Sequence, residues 1–166
     1  MDGCMIINQL GVCSESEFPH LMDKDQNVIN FREKPSDSVI NSALLHRYPG
    51  FKDVTENGSL LETIKICLSG GYPVLMAFIM FNSFMDQSVR ETGIVSVPMS
   101  NPLDQPIGGH EVLIVGYEPG YLLVLNSWGP EWGLGGFFKM PVEYLTASWQ
   151  DIDLVDQILI LRPVPK

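Results

Sequence analysis

The sequence predicts an α+β fold in which a mixed N-terminal part precedes a β-rich C-terminal part. A helix start is marked by Ser59 with Glu62 three residues later, a capping box whose hydroxyl and carboxylate satisfy each other's backbone N–H groups. Beyond Pro73 the pattern changes to short apolar runs separated by glycine and proline, which is typical of strands. The 166 residues are 45% hydrophobic and 18% charged, enough for the core of one domain or of part of a larger one.

The predicted elements follow from the apolar runs and from the residues that end them. A first helical run, Met5 to Leu10, is closed by Gly11, and the residues up to Gly58 are polar and mixed in pattern. A helix from Leu60 to about Leu68 ends at the following glycines. The predicted strands are Val74 to Phe81, Glu111 to Tyr117, Tyr121 to Asn126, Gly136 to Met140 and Ile158 to Leu161.

Charge excludes some classes of partner. Twenty acidic against ten basic side chains give a net charge of −10, which repels nucleic acid and anionic membranes. The longest uncharged stretch, Ile66 to Met85, is interrupted by Gly70 to Pro73, and the remaining run is too short to span a bilayer. Met1 is followed by Asp2 and not by a basic and then apolar run, so no signal peptide is predicted and the compartment is left open.

Cysteine and histidine spacing predicts neither a disulfide framework nor a metal site. An odd number of cysteines cannot all pair within one chain, and no two of the candidate ligands stand at zinc-binding spacing. These residues are Cys4, Cys13, Cys67, His20, His46 and His110. We therefore expect no metal and no cofactor, and structural roles for His20 and His46.

The most informative stretch is a predicted β-hairpin with His110 at one end and Asn126 at the other. If the loop has an odd number of residues, Val112 faces Asn126, and His110 is its diagonal neighbour at roughly 7–8 Å, within reach of a hydrogen bond. An even loop reverses the faces, and Pro119-Gly120 alone fits a two-residue turn. Both parities remain open at this point.

A histidine held by an amide has a specific chemical use. An amide oxygen that accepts from one ring nitrogen fixes the tautomer and leaves the other nitrogen aimed at a nucleophile. Trp128, two residues beyond Asn126, points the same way in extended backbone and would screen the bond from water. The alternative is structural: His110 caps a strand and Asn126 closes a turn.

Several short motifs lie in and around the predicted hairpin. They are Gly109-His110, Gly116-Tyr117 at the end of an apolar run, Asn126-Ser127-Trp128-Gly129, Trp132-Gly133 and Gly135-Gly136-Phe137. Upstream lie the segments Gly11-Val12-Cys13-Ser14-Glu15, Phe18-Pro19 and Tyr72-Pro73-Val74. Together they resemble the papain family of cysteine peptidases, over most of the chain and most specifically between residues 108 and 137.

The resemblance implies a fold and a set of roles. His110 would be the general base, Asn126 its orienter and Trp128 the screen, with Gly109 in a supporting position. The implied fold is a helical left domain facing a β-barrel-like right domain across a substrate cleft. Residues 1–58 would be a left-domain remnant and connection, and residues 59–166 the right domain with one helix. Glu111 departs from the family, which usually has a small apolar residue after the histidine.

The nucleophile of that family is missing from this sequence. It lies in a Cys-Gly-Ser-Cys-Trp type of motif about 130 to 150 residues before the His and Asn, and counting back from His110 lands roughly 20 residues before Met1. The Gln that helps to stabilise the oxyanion in the family is missing as well. Cys4, before an apolar helical run, is a weak candidate nucleophile, since a helix N-terminus lowers a thiol pKa. Cys13 and Cys67 are expected to be structural.

Two functional hypotheses follow. In the first, the chain is the C-terminal part of a papain-like peptidase that cleaves peptide bonds through a Cys/His/Asn triad. It would be a truncated or split product, inactive alone, with a peptide or protein substrate and a separate N-terminal piece that carries the cysteine. In the second, it is a non-catalytic homologue that binds peptides or a protein partner. Because a binder has no need of an oriented imidazole, His110 and Asn126 favour the first. Whether the chain is an enzyme by itself is left open.

Overall fold

A computed structural model describes residues 3–24, 28–30, 32–48, 50–54, 58–98 and 103–162. It divides into two compact units, one with Arg162 and the described residues up to Phe51, and one with Lys52–Leu161. The α+β class predicted from the sequence is confirmed, since helices accompany a mainly antiparallel sheet.

The first unit is helical and contains little apolar core. Helix α1 (Gly3–Gln9) corresponds to the predicted helical run. The sequence prediction missed helix α2 (Asp37–Leu45), which begins where the Ser36 hydroxyl accepts a hydrogen bond from the Val39 N–H. Among the described side chains of this unit, the buried ones are Cys4 and Asn30.

The second unit is built on a sheet. Within the described residues, six strands form it in the order β1 (Gly50–Asp53), β8 (Val155–Arg162), β2 (Val74–Phe81), β3 (Pro106–Glu118), β4 (Tyr121–Leu125) and β5 (Phe137–Pro141). Strands β6 (Ser148–Trp149) and β7 (Ile152–Asp153) form a separate short pair. Strand β2 has the predicted bounds, and the other predicted strands are present with shifted ends.

Helix α3 (Leu60–Ser69) confirms the second predicted helix. Its Ser59 cap accepts a hydrogen bond from the Glu62 N–H at 3.4 Å, and the Glu62 carboxylate pairs with Lys65 at 3.0 Å. The expectation of a single helix after residue 59 is wrong, because α4 (Gln87–Thr92) follows a 3₁₀ turn at Asn82–Met85. Six mostly polar residues are too few to show helical periodicity in a sequence.

The core lies between α3, the sheet and the segments that follow β2 and β5. Alternate residues of β2 point into it, as the period of two requires. Its fully buried members include Ile64, Val74, Met76, Phe78, Ile114, Leu122, Val124, Phe138, Met140 and Ile158.

The β3–β4 hairpin reaches the predicted arrangement by a different route. Glu118 pairs with Tyr121, so the loop is the two-residue turn Pro119-Gly120 and not an odd loop. A β-bulge at Val115 then shifts the register by one, and Leu113 pairs with Leu125. Continuing this register by one residue places Asn126 opposite Val112.

Tyr144 provides a test of the core at alkaline pH. It is fully buried, its hydroxyl donates to the Ile79 carbonyl at 2.8 Å, and its ring meets Phe78 edge-on at 5.7 Å. Burial raises the pKa of Tyr144 above the ordinary value of 10, and the charge of Asp104 raises that pKa further. The neutral Tyr144 hydroxyl therefore contributes fully to the free energy of unfolding below about pH 10. This contribution is lost progressively above that pH, because the tyrosine ionises in the unfolded chain before it ionises in the folded one.

We expect Tyr144→Phe to lose about 1 kcal/mol of unfolding free energy at pH 8, since the bond to Ile79 is gone. Above about pH 10 the wild type should lose up to about 1.4 kcal/mol more per pH unit than the variant. Urea unfolding from pH 8 to 11 measures both. Parallel curves for the two proteins over this range would contradict the assignment.

Candidate active site

The structure brings His110 and Asn126 together within the second unit. His110 lies on β3, half-buried, and Asn126 follows the last residue of β4 and is 6% exposed. The His110 Nε2 is 3.0 Å from the Asn126 Oδ1, so the predicted hydrogen bond is present. The bulge at Val115 accounts for it, because a regular ladder from a two-residue turn would put the two side chains on opposite faces.

The backbone next to Asn126 determines which way its amide points. The Ser127 N–H donates to the Asn126 Oδ1 at 2.8 Å, and a backbone N–H cannot accept, so the atom facing it must be the oxygen. An oxygen cannot donate to the imidazole either, and the His110 Nε2 must therefore carry the proton. In the neutral ring the Nδ1 then has the lone pair and can accept a proton.

This orientation leaves the other end of the amide unsatisfied. The Asn126 Nδ2 is buried and has no hydrogen-bond acceptor among the described residues. Such a buried donor costs about 1–3 kcal/mol. Turning the amide would bring its NH₂ group against the Ser127 N–H, so the two bonds to Oδ1 decide the orientation despite this cost.

The loop after Asn126 fixes its backbone. The Asn126 N–H donates to the Gly136 carbonyl at 2.9 Å, and the Gly136 N–H donates to the Trp132 carbonyl at 2.7 Å. The loop thus returns to the start of β5 and closes on itself beside the site. Hydrogen bonds of its backbone N–H and of its side-chain oxygen therefore hold Asn126 in place.

Aromatic side chains enclose the imidazole. The Trp128 ring lies 5.1 Å from that of His110, tilted by 30°, with 36% of its surface exposed. Phe78 pairs with His110 across β2 and β3, and its ring meets the imidazole edge-on at 5.8 Å. The Phe84 ring meets the imidazole edge-on at 6.2 Å. These rings exclude water from much of the imidazole, and a hydrogen bond in such surroundings is stronger than in water.

Phe78 and Phe84 were missed by sequence reasoning. The alternation of β2 signals that Phe78 points inward, but its position against His110 depends on the register of β2 with β3. No sequence signal identifies Phe84, which lies in the 3₁₀ turn after β2.

The remaining predicted residues lie in different surroundings. Gly109 precedes His110 on β3, is exposed, and has open space where a Cβ would be. Glu111 is exposed while Val112 is buried, so its carboxylate lies on the face of β3 opposite His110. Cys4 lies on α1 in the first unit and is 6% exposed.

The other two cysteines are half-buried. Cys67 lies on α3 against the core, and Cys13 lies in the first unit. The three sulfurs form no disulfide in the structure.

The described residues contain no group of three or more His, Cys, Asp or Glu side chains placed to hold a metal ion. In the same residues, no helix combines the length and apolar character needed to cross a bilayer.

Removing the Asn126 amide tests the tautomer assignment. In Asn126→Ala we expect the ratio of Nε2–H to Nδ1–H tautomer of His110 to fall about five- to tenfold, because one hydrogen bond is lost. Imidazole ¹⁵N chemical shifts at about pH 9, where an ordinary imidazole is neutral, measure the ratio. Asn30→Ala is the matched control, since Asn30 is an equally buried amide in the other unit. An unchanged ratio in Asn126→Ala would refute the assignment.

Trp128 is expected to protect the same proton. Replacing it by alanine should speed exchange of the His110 Nε2 proton with water about two- to tenfold, the equivalent of one lost aromatic contact. Trp128→Phe should retain part of the protection. Trp149→Ala is the control, because Trp149 packs on Phe81 in the same unit. Equal exchange in Trp128→Ala and the wild type would show that the indole gives no protection.

Comparison with known proteins identifies the family of the chain. The family described as papain family cysteine protease matches residues 4–148 of the chain. An uncharacterized peptidase C1-like protein of Acanthamoeba polyphaga mimivirus is 36% identical over 98% of this chain and 50% of its own length. A cathepsin B-like protein of Giardia intestinalis is 32% identical over 64% of this chain and 34% of its own. The chain thus spans half or less of the length of these relatives.

Solved structures show the same fold. Xylellain, a cysteine protease from Xylella fastidiosa, superposes with a TM-score of 0.76 at 26% identity, over 98% of this chain and 60% of that one. A cysteine protease of Carica candamarcensis, solved with E-64, has a TM-score of 0.54 at 17% identity, over 96% of this chain and 66% of that one. The papain-like fold and the family match lead to one conclusion: this chain belongs to the papain family of cysteine peptidases.

Proposed function

We propose that this chain supplies the base and the orienting amide of a papain-type peptidase centre, with a nucleophile that lies outside these 166 residues. The observation that carries the proposal is the bond from the His110 Nε2 to the Asn126 Oδ1, with the amide oriented by the Ser127 N–H. A structural histidine needs no such control of its tautomer. A general base does, since its free nitrogen must meet the proton that it removes.

The proposed chemistry is hydrolysis of a peptide bond. The His110 Nδ1 takes the proton of an incoming thiol, and the sulfur attacks the substrate carbonyl carbon. The imidazolium then gives that proton to the leaving amine, and water hydrolyses the acyl-sulfur bond. Asn126 is neutral, so it orients the ring and accepts the hydrogen bond from the Nε2–H without holding a negative charge beside the imidazolium.

Three features support a nucleophile outside these 166 residues. The sequence has no Cys-Gly-Ser-Cys-Trp type of motif and no upstream Gln of the kind that stabilises the oxyanion. Cys4 is buried, whereas a nucleophile must meet substrate. The chain also spans about half of its mimivirus relative. The partners we propose are therefore a peptide or protein substrate and a cysteine-bearing segment outside these 166 residues, in the same or in a separate polypeptide.

The alternative is a non-catalytic homologue that binds peptides or a protein. It requires an accessible surface but no oriented imidazole. The tautomer control at His110 therefore favours the catalytic interpretation.

Complementation tests the proposal. The chain alone should not cleave fluorogenic peptides. Mixed with a recombinant N-terminal segment of a papain-family peptidase that carries the Cys-Trp motif, it should cleave them. The thiol of that segment should also react faster with an alkylating probe in the mixture, because His110 takes its proton. His110→Ala should lower the rate in the mixture by about 100-fold or more, the typical contribution of a general base.

Cysteine variants separate the outcomes. Turnover by the chain alone that is lost in Cys4→Ala but kept in Cys13→Ala would show that the chain has its own nucleophile. Saturable peptide binding without turnover in the mixture would favour the non-catalytic homologue.

A further inference from the structure

The 3₁₀ turn after β2 is tied to the chain segment that precedes β3. Phe81 pairs with Pro106, and the Asn82 N–H donates to the Gln105 carbonyl at 3.0 Å. The next donor along the turn is Ser83, and its acceptor is the side chain of Asp104 and not a backbone carbonyl. Its Oδ1 accepts from the Ser83 N–H at 2.9 Å and its Oδ2 from the Ser83 hydroxyl at 2.5 Å.

Asp104 is an unusual residue for this position because its carboxylate is inside the protein. It is 6% exposed, and burying a carboxylate is unfavourable unless hydrogen bonds or a cation compensate. In the described part of the chain no Lys, Arg or His side chain forms an ion pair with it. The two bonds from Ser83 are therefore the compensation that the described residues provide, and they hold carboxylate and turn together.

The residue next to Ser83 is Phe84, whose ring connects this turn with the proposed active site. Phe84 is 2% exposed and meets Trp128 edge-on at 5.6 Å and His110 at 6.2 Å. It also stacks on Trp132 at 5.6 Å with an angle of 20°. One ring thus contacts both the imidazole and the indole that covers it.

We propose that Asp104 is a positioning residue for His110: by binding both donors of Ser83 it fixes the turn that presents Phe84 to the imidazole and to Trp128. If the turn is released, Phe84 no longer limits the rotation of the imidazole, and the bond from Nε2 to the Asn126 Oδ1 competes with other ring orientations. The catalytic meaning of this arrangement rests on the proposed function. The positioning itself does not, because it can be measured in the chain alone.

The test compares two substitutions of Asp104. Asp104→Ala removes both acceptors, and we expect the Nε2–H to Nδ1–H tautomer ratio of His110 to fall about five- to tenfold, as measured by ¹⁵N chemical shifts. Asp104→Asn should restore a ratio within about twofold of the wild type. Its amide oxygen can accept from the Ser83 N–H, and its NH₂ can donate to the Ser83 hydroxyl, so the geometry survives without the charge.

Ile64→Ala is the control for a general loss of stability, since Ile64 is fully buried on α3. It should lower the melting temperature and leave the tautomer ratio unchanged. If Asp104→Ala does not fold, Ser83→Ala decides, because it removes one bond of two and should lower the ratio about two- to threefold.

An unchanged ratio in the folded Asp104→Ala or Ser83→Ala protein would overturn the proposal. So would an equal fall in Asp104→Asn and Asp104→Ala, or in Ile64→Ala. None of these results depends on turnover, so a failure of the proposed peptidase function is distinguishable from a failure of the positioning role.

Discussion

An amide oxygen that accepts two hydrogen bonds at once cannot turn away from either donor without losing both. The Asn126 Oδ1 is in this position, between the Ser127 N–H and the His110 Nε2. The opposite end of the same amide is buried without an acceptor among the described residues, which shows the strength of the constraint. The tautomer of His110, the direction of its free nitrogen and the proposed chemistry all depend on it.

Among the described residues, the contacts that hold this pair come from the second unit. The sheet sets His110 against Phe78, the loop that returns to β5 fixes Asn126, and the turn after β2 brings Phe84 against the ring. The first unit differs, because its described part buries one apolar side chain, Cys4. The described residues of the second unit thus combine an oriented imidazole with the core that holds it.

Much of this was predictable from the sequence, although one step rested on the wrong premise. Strand β2 and helix α3 follow from the spacing of their apolar residues and from the capping, glycine and proline residues at their ends. The pairing of His110 with Asn126 follows from their places at the two ends of a hairpin. The odd loop on which that pairing depended is a two-residue turn. A β-bulge at Val115 restores the faces. Gly116 beside it is a local signal, since a glycine inside a strand often marks a bulge, but it does not give the register.

Other features could not be predicted from the sequence, and the reasons are physical. Ser83 and Asp104 are far apart in the sequence and meet only when β2 and β3 are in register. Helix α4 is short and mostly polar, so its stability comes from tertiary contacts and not from a visible period. Helix α2 did leave a signal that sequence reasoning overlooked: apolar residues at helical spacing, Val39, Ile40, Ala43 and Leu44, follow the Ser36 cap.

Neutron diffraction from a deuterated crystal of the chain at about pH 9 tests the central claim most directly, since an ordinary imidazole is neutral there. The account predicts deuterium on the His110 Nε2, directed at the Asn126 Oδ1, and a bare Nδ1. Deuterium on Nδ1, or an Asn126 NH₂ group facing the imidazole, would contradict it.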